Sequence, residues 1–462
     1  MGDLAWQSAT ELAAAVSAGR VTARDVVEAA LARIALRNPV LNAFTDVTAG
    51  RALARADALD RTRAAGGPLG PLAGVPFAVK NLFDVAGLPT RAGSAINRER
   101  AGAAQDAVLV SRLEAAGAVL VGALNMGEYA YDFTGENSHD GASRNPHDTA
   151  RMTGGSSGGS GAAVAGGLVP LALGSDTNGS IRVPAALCGL FGLKPTYGRL
   201  PRTHSFPFVG SLDHLGPLAR SVADLAVSYD AMQGHDAGDP GCADRPAEPV
   251  AGRLEGIEGL RIVRAGGYFR SNITPASDAA VDRVADALGV RREVDIPEAA
   301  RARAAAYLIT TAEGAALHLE RLRTRPADFD PEVRDRLIAG SMVPAPLVIQ
   351  AQKFRRWYRA EVLRLFEEVD AIIAPVTPCA APLIGQKTFE LGGVEMPLRP
   401  NLGIFTQPIS FIGLPVVAVP VMGDLPTGVQ IIAPPWREDI ALRIARFLES
   451  GGVAVAQRPQ EG

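Results

Sequence analysis

The chain's patterning predicts an α/β fold with a largely parallel or mixed sheet, and three observations carry that expectation. Helical and strand-like segments alternate over roughly the first 200 residues, as they do when helices cross between strands of one sheet. Short apolar runs closed by glycine, such as "GVPFAVK" (74–80), have the length and flanks of fully buried strands. With 462 residues, 47% of them hydrophobic and 21% charged, the chain can also bury a large core.

Taken in order, Ser8 and Glu11 have the spacing of a capping box, with Leu12 and Val16 following at helical spacing. A second helix is expected from near Thr22 to about Arg37, stopped by Asn38-Pro39. Arg51 to Ala65 reads as a third helix, and Phe77 to Lys80 as a buried strand. "DAVLVSRLEAAGAVLVGALNM" (106–126) reads as helix, glycine, strand and loop. Asn145 to Gly159 is expected to be loop, Ser160 to Ala165 a helix, and "LVPLALGSD" (168–176) a strand. A proline- and glycine-rich surface connection follows at 235–252, then a strand in "LRIVRAGGYF" and helices at Asp278–Leu288, Ala304–Arg323 and Gln350–Glu368. Motif blocks lie on both sides of 235–300, so one domain spans 1–462, with a peripheral inserted region at about 235–350.

Composition removes several function classes. Net charge is −3, with no polybasic arm, so no nucleic-acid partner is expected. The N-terminus lacks a basic segment followed by a cleavable apolar stretch, so no signal peptide is expected. Pro400 to Gly423 carries no formal charge but holds four prolines, which suits buried strands and turns rather than a membrane span. Cys188, Cys242 and Cys379 fit neither a metal site nor a disulfide framework, and read as reduced thiols of a cytoplasmic protein.

Only four lysines (Lys80, Lys194, Lys353, Lys387) stand beside 42 arginines. Arginine serves wherever a permanent charge suffices, so the surviving lysines are enriched for tasks that require losing a proton. Lys80 sits at the end of an apolar run, where desolvation disfavours the ammonium. The competing reading is a salt-bridged structural lysine.

"GGSSGGSGAAVAGG" (154–167) looks like a linker until its second half turns apolar. A P-loop would need a lysine that is absent, and a dinucleotide fingerprint fails because Val164 stands where the third glycine belongs. Gly155 to Gly159 does match G-x-S-x-G, with Ser157 at the centre. A hydrolase of that kind usually has a late histidine, yet His318 is the last one and the final 144 residues hold none.

The remaining reading joins Lys80, the Ser156-Ser157 pair and "GSDTNGSIRVPA" with Ser180; 76 residues separate Lys80 from Ser156, and 24 separate Ser156 from Ser180. The stretch "GGSSGGSGAAVAGGLVPLALGSDTNGSIRVPAALCGLFGLKPT" closely resembles the core motif of the amidase signature family. "GVPFAVKNLFDVAGLPT", "GALNMGEYAY", "SLDHLGP" and "GLPVVAVP" resemble further blocks of that family. The resemblance implies a three-layer α/β/α fold, with a large mixed sheet covered by helices on both faces. It implies Ser180 as nucleophile, Ser156 as a bridging serine on a cis peptide, and Lys80 as base. The backbone N–H groups of Thr177, Asn178, Gly179 and Ser180 would form the oxyanion hole. Asn178 stands where family members often have glycine. No metal or organic cofactor is implied.

Finer blocks, among them "HSFPFVGSLDHLGP" and "GVQIIAPPWRED", resemble the carboxybiuret (biuret-type) hydrolase branch of s-triazine catabolism. That resemblance implies an amide C–N hydrolase that releases ammonia from a small carboxylated urea through an acyl-enzyme. It also implies a small helical partner subunit, in a homodimer or heterotetramer, with no membrane contact. The amidase subunit of a glutamine-dependent tRNA amidotransferase and a broad-specificity small-amide amidase are the alternatives. Arg182, Tyr129 and Thr134 are candidate substrate contacts, with Arg91 and Arg399 behind them. Asp132 and Asp140 depart from the branch pattern; facing the pocket they would repel an anion, and the preferred expectation exposes them to solvent. His204 and Asp213 lie in motif blocks without an assigned role.

Overall fold

The structure is a computed structural model and describes residues 4–460. Its strands in chain order are β1 (Phe44–Val47), β2 (Pro76–Lys80), β3 (Val119–Leu124), β4 (Arg144–Asn145), β5 (Asp148–Met152), β6 (Leu171–Asp176), β7 (Phe191–Lys194), β8 (His214–Ala219), β9 (Ile262–Ala265), β10 (Glu293–Val294), β11 (Ala371–Pro375), β12 (Thr388–Leu391), β13 (Val394–Pro397), β14 (Val416–Met422) and β15 (Pro426–Ile432). Eleven of them form one sheet in the order β1-β3-β2-β6-β8-β7-β14-β15-β11-β9-β10. The sheet is mixed: β2 runs parallel to β3 and β6, and β9 parallel to β10 and β11, while the β6-β8-β7-β14-β15-β11 run is antiparallel. Every residue of β2, β3, β6, β8, β11 and β15 is buried. Successive side chains of a strand point to opposite faces, so both faces of the sheet are covered.

The Ser8–Glu11 signal acts as read, and the second helix starts where expected with a capping box of its own. Ser8 and Glu11 cap the helix Ala9–Ser17 reciprocally, and Thr22 with Asp25 does the same for Ala23–Leu41. That second helix does not stop at Asn38-Pro39 as expected. Pro39 lies in its last turn, the helix ends on a left-handed Asn42, and Asn38 Oδ1 accepts from the N–H groups of Ala43 and Phe44. One forgone backbone bond at Pro39 is outweighed by the side-chain capping that follows. The expected loop 145–159 contains the β4-β5 hairpin, and the next helix begins at Gly158. A helix at Pro331–Ser341 was not expected, although Asp330 caps it and Pro331 opens it, which is a readable start signal.

Residues of the 235–350 region supply β9 and β10 to the sheet, and the helices Ala299–Thr324 and Pro331–Ser341. Within the described residues no helix is long and apolar enough to cross a membrane. Pro400–Gly423 forms short helical turns and β14.

The topology places the chemistry. β2 and β6 are neighbours and parallel, with Phe77 opposite Leu171 and Val79 opposite Leu173. Their C-terminal ends therefore bring Lys80 and Ser175 side by side, at the edge of the sheet where α/β folds bind ligands.

Candidate active site

Lys80 is fully buried, with Nζ 2.6 Å from Ser156 Oγ and 2.9 Å from Ser175 Oγ. Among the described residues no carboxylate lies within 4.0 Å of Nζ. Burial pushes its pKa down to about 7, against the pull of Asp213, Asp176 and Asp132. Ser175 is the member that sequence reasoning missed. The signal was its position one residue before the end of a strand that pairs in parallel with the strand of Lys80, and that pairing is not written in the local sequence.

Ser156 follows a cis peptide bond, Gly155–Ser156. At Gly155 a Cβ would sit 2.5 Å from Asp132 Oδ2 and 2.7 Å from the Gly135 nitrogen, so only glycine fits there. The next hydroxyl, Ser157 Oγ, is 3.2 Å from both the carbonyl oxygen and the nitrogen of Ser175, which pins the loop to β6. Helix Gly158–Ala165 behind it is buried throughout.

The segment Thr177–Ser180 turns out of β6. Gly179 has φ +141°, and a Cβ there would lie 2.2 Å from Thr406 Oγ1. Thr406 Oγ1 donates to the Asn178 carbonyl at 2.6 Å. Thr177 Oγ1 donates to Asp213 at 2.6 Å, and Asp213 also accepts from the N–H groups of Phe208 and Val209. Asp213 thus anchors this turn to the start of β8, and burial raises its pKa. Among the described residues none of the four N–H groups from Thr177 to Ser180 donates to a protein acceptor.

Ser180 opens on a narrow slot of about 20 Å³, lined also by Tyr131, Asp132, Asn178, Tyr307, Thr310, Arg336 and Gln407. A cavity of about 210 Å³ shares Ala130, Thr177 and Phe208 with it. A second, of about 350 Å³, shares Tyr307, Arg336 and Pro400. Asn178 Nδ2 donates to Thr310 Oγ1 at 2.9 Å, leaving its buried Oδ1 without a partner.

Three candidate contacts are placed differently from expectation. Arg182 is wholly buried and turned to Asp176: Nε reaches Oδ2 at 2.9 Å, Nη2 reaches Oδ1 at 3.0 Å, and Nη1 donates to Gln430 at 2.8 Å. It borders neither the slot nor the two cavities beside it. Burial alone would raise the Asp176 carboxyl, but the Arg182 charge and hydrogen bonds outweigh it and hold the group far below the usual range. Tyr129 is buried against His318, Phe206 and Phe329 with its hydroxyl 2.8 Å from Ser94 Oγ, and Tyr131 occupies the slot instead. Thr134 Oγ1 donates to Asp132, and the residue lines the outer cavity rather than the slot.

Asp132 is only 4% exposed, so the expectation that it faces solvent is overturned. It borders the slot, but Oδ2 accepts from the Thr134 and Gly135 N–H groups, and Oδ1 from Thr134 Oγ1 and Arg399. Asp140 is also largely covered and pairs with Arg98 at 2.7 Å. Arg91 is held by Asp46 at 2.7 Å, and His204 Nε2 lies 2.6 Å from Gln105, away from the slot. The Ser157–His318 alternative has no geometric support: Ser157 is bound to β6, and His318 is packed among Tyr129, Phe206 and Phe329, where burial and Arg321 push its pKa down to about 3.

An eleven-stranded mixed sheet bearing a buried lysine between two serine hydroxyls is the frame of an amide hydrolase, and known proteins of similar sequence agree. The Amidase family model matches residues 25–442, and the chain belongs to that family of hydrolases acting on C–N bonds. It is 55% identical to AtzE, a subunit of the 1-carboxybiuret hydrolase of Pseudomonas sp. (strain ADP), over 96% of this chain and 98% of that one. A glutamyl-tRNA(Gln) amidotransferase subunit of Chloroflexus aurantiacus (strain ATCC 29366 / DSM 635 / J-10-fl) is 39% identical over 100% of this chain and 99% of its own. A solved structure from work on a vestigial protein complex and the origins of an s-triazine catabolic enzyme superposes with a TM-score of 0.97 and 54% identity, covering 98% of this chain and 100% of that one.

The buried charges make stability depend on pH and on pairing. The folded-state pKa of Lys80 is depressed from 10.5 to about 7, so between those values the unfolded chain binds more protons and stability rises with pH. Lys80→Met removes that linkage: its melting temperature should exceed the wild type's at pH 7, and the rise from pH 7 to 10 should flatten. Buried Lys194, also pushed down to about 7, leaves a residual slope. Arg182→Met strands Asp176 and should cost about 3–5 kcal/mol in urea unfolding. Adding Asp176→Asn to it should restore much of the loss.

Proposed function

We propose that Lys80, Ser156 and Ser180 act together as base, relay and nucleophile on a small carboxylated urea, and the observation that carries this is the unpaired buried Lys80 within 2.6 Å of Ser156 Oγ. With its pKa near 7, Lys80 is substantially neutral at physiological pH and can accept a proton. Lys80 takes the Ser156 proton while Ser156 takes that of Ser180, and Ser180 Oγ attacks the amide carbonyl. The N–H groups of Thr177 to Ser180 receive the developing oxyanion. The relayed proton returns to the departing nitrogen, ammonia leaves, and water hydrolyses the acyl-enzyme to release the acid. Asn178 Oδ1 supplies an acceptor for a substrate N–H.

The carboxylated-urea substrate is supported by the 55% identity to the 1-carboxybiuret hydrolase relative, against 39% to the amidotransferase relative over similar spans. The likeness to a solved chain from work on a vestigial protein complex supports a small partner subunit for this chain, and the free thiols Cys188, Cys242 and Cys379 support a cytoplasmic location. Glutamine-dependent amide transfer is the second reading, which the 39% relative supports.

Ammonia release from biuret, 1-carboxybiuret generated in situ, and glutamine decides between them: turnover of 1-carboxybiuret supports the first, and turnover of glutamine alone the second. Ser180→Ala should lose at least about 10³-fold in kcat/KM, as should Lys80→Met. Deprotonated Lys80 is the active form, so kcat/KM for a neutral amide should rise with pH through about 7 and then level off.

A further inference from the structure

Two buried amide side chains on the wall of the slot are each left half used. Asn178 and Gln407 are 6% and 3% exposed, and both border the slot with Ser180. Asn178 spends its nitrogen: Nδ2 donates to Thr310 Oγ1 at 2.9 Å, and Oδ1 has no partner among the described residues. Gln407 spends its oxygen: Oε1 accepts from Arg303 Nε at 3.0 Å. A guanidinium can only donate, so the end of the Gln407 amide that meets it is the oxygen, and Nε2 is left for the slot. Among the described residues Gln407 Nε2 makes no hydrogen bond to the protein.

Both amides are held in these orientations by one helix. Arg303 and Thr310 are seven residues apart in Ala299–Thr324, which puts them on the same face. Arg303 is itself fixed, with Nη2 donating to the Pro400 carbonyl at 2.8 Å and to Asn401 Oδ1 at 2.7 Å. The two amides are also tied to each other. Thr406, the residue before Gln407, donates through Oγ1 to the Asn178 carbonyl at 2.6 Å. The slot therefore carries one acceptor and one donor at a set separation. A buried polar group without a partner is a cost the fold carries for a reason, and two of opposite kind in one slot match a ligand that offers an N–H and a C=O together.

We infer that Asn178 Oδ1 accepts from the internal N–H of the substrate and that Gln407 Nε2 donates to its second carbonyl, the one beyond the carbonyl that Ser180 attacks. Together they select ureides, in which carbonyls alternate with N–H groups, over alkyl amides of the same size. The inference rests on the Ser180 reading above and adds the residues that tell a urea from an ordinary amide. A slot of this kind rejects an analogue that lacks the matching group, because its own buried groups are then left unpaired.

Biuret, malonamide and butyramide test this as a graded series. Malonamide replaces the internal N–H of biuret by a methylene, and butyramide lacks the second carbonyl as well. All three are neutral, so recognition of charge does not enter. Their dissociation constants are read by calorimetry on the full chain carrying Ser180→Ala, which removes turnover. Affinity should fall from biuret to malonamide to butyramide. Adding Gln407→Met should lower the preference for malonamide over butyramide about 5–10-fold, the scale of one neutral hydrogen bond, and leave the preference for biuret over malonamide unchanged. Adding Asn178→Ala should do the reverse. Gln407→Glu keeps the pairing with Arg303 but exchanges the donor for an acceptor; it should lower the malonamide preference at least as far, and serves if the methionine variant does not fold. A preference that does not move in its variant overturns that residue's contact, and equal affinities for the three compounds overturn both. No binding of biuret, while wild type still releases ammonia from 1-carboxybiuret, overturns the inference alone. No binding and no such turnover overturn it together with the carboxylated-urea reading.

Discussion

The site depends on keeping one lysine buried and without an anion. A fully buried ammonium facing a carboxylate would be held protonated, and it would then be a structural cation rather than a base. Lys80 instead meets only hydroxyls at close range, from Ser156 and Ser175. Everything around it serves that arrangement. The parallel pairing of β2 with β6 sets the two strand ends level, and the loop from Gly154 to Ser157 brings Ser156 to the same point.

Asp176, the residue directly after Ser175, is one of three carboxylates whose charge reaches Lys80, with Asp213 and Asp132. Strand alternation sends successive side chains to opposite faces, so Ser175 turns to Lys80 and Asp176 turns away. There Arg182 takes both carboxylate oxygens, and Ser410 Oγ adds a bond at 3.1 Å. Removing charge from Lys80's surroundings therefore requires a second buried charge to be satisfied elsewhere. Asp132 repeats the pattern at the mouth, where backbone N–H groups and Arg399 absorb it. Asp213 is a third case, spent on Thr177, Phe208 and Val209. These carboxylates shape the backbone of the site without offering a strong partner to Lys80.

Much of this was legible in the chain. The capping residues Ser8 and Thr22 announced their helices because a helix start is a local hydrogen-bonding problem, solved within four residues. The scarcity of lysine drew notice to Lys80, and the glycine-serine run to Ser156, since residues of unusual type stand out without a structure. Asn38-Pro39 misled because a proline's cost depends on what caps the turn around it, here Asn38 and Asn42. Arg182 misled because adjacency to Ser180 in sequence says nothing of which way a helical side chain points. Asp132 misled because its counter-charge, Arg399, is remote in the chain.

By itself, then, the sequence determined the class of fold, the family, and the residue types available for chemistry, because periodicity, capping and long motifs are properties of neighbouring residues. The tertiary structure alone decided which groups meet. It set Ser175 beside Lys80 through strand pairing, locked Arg182 onto Asp176, and brought Thr310 and Arg336 from the 235–350 region to the wall of the slot. The first and last of those contacts join segments 95 to 205 residues apart, and pairing at that range is fixed by packing and strand order, which local sequence does not record.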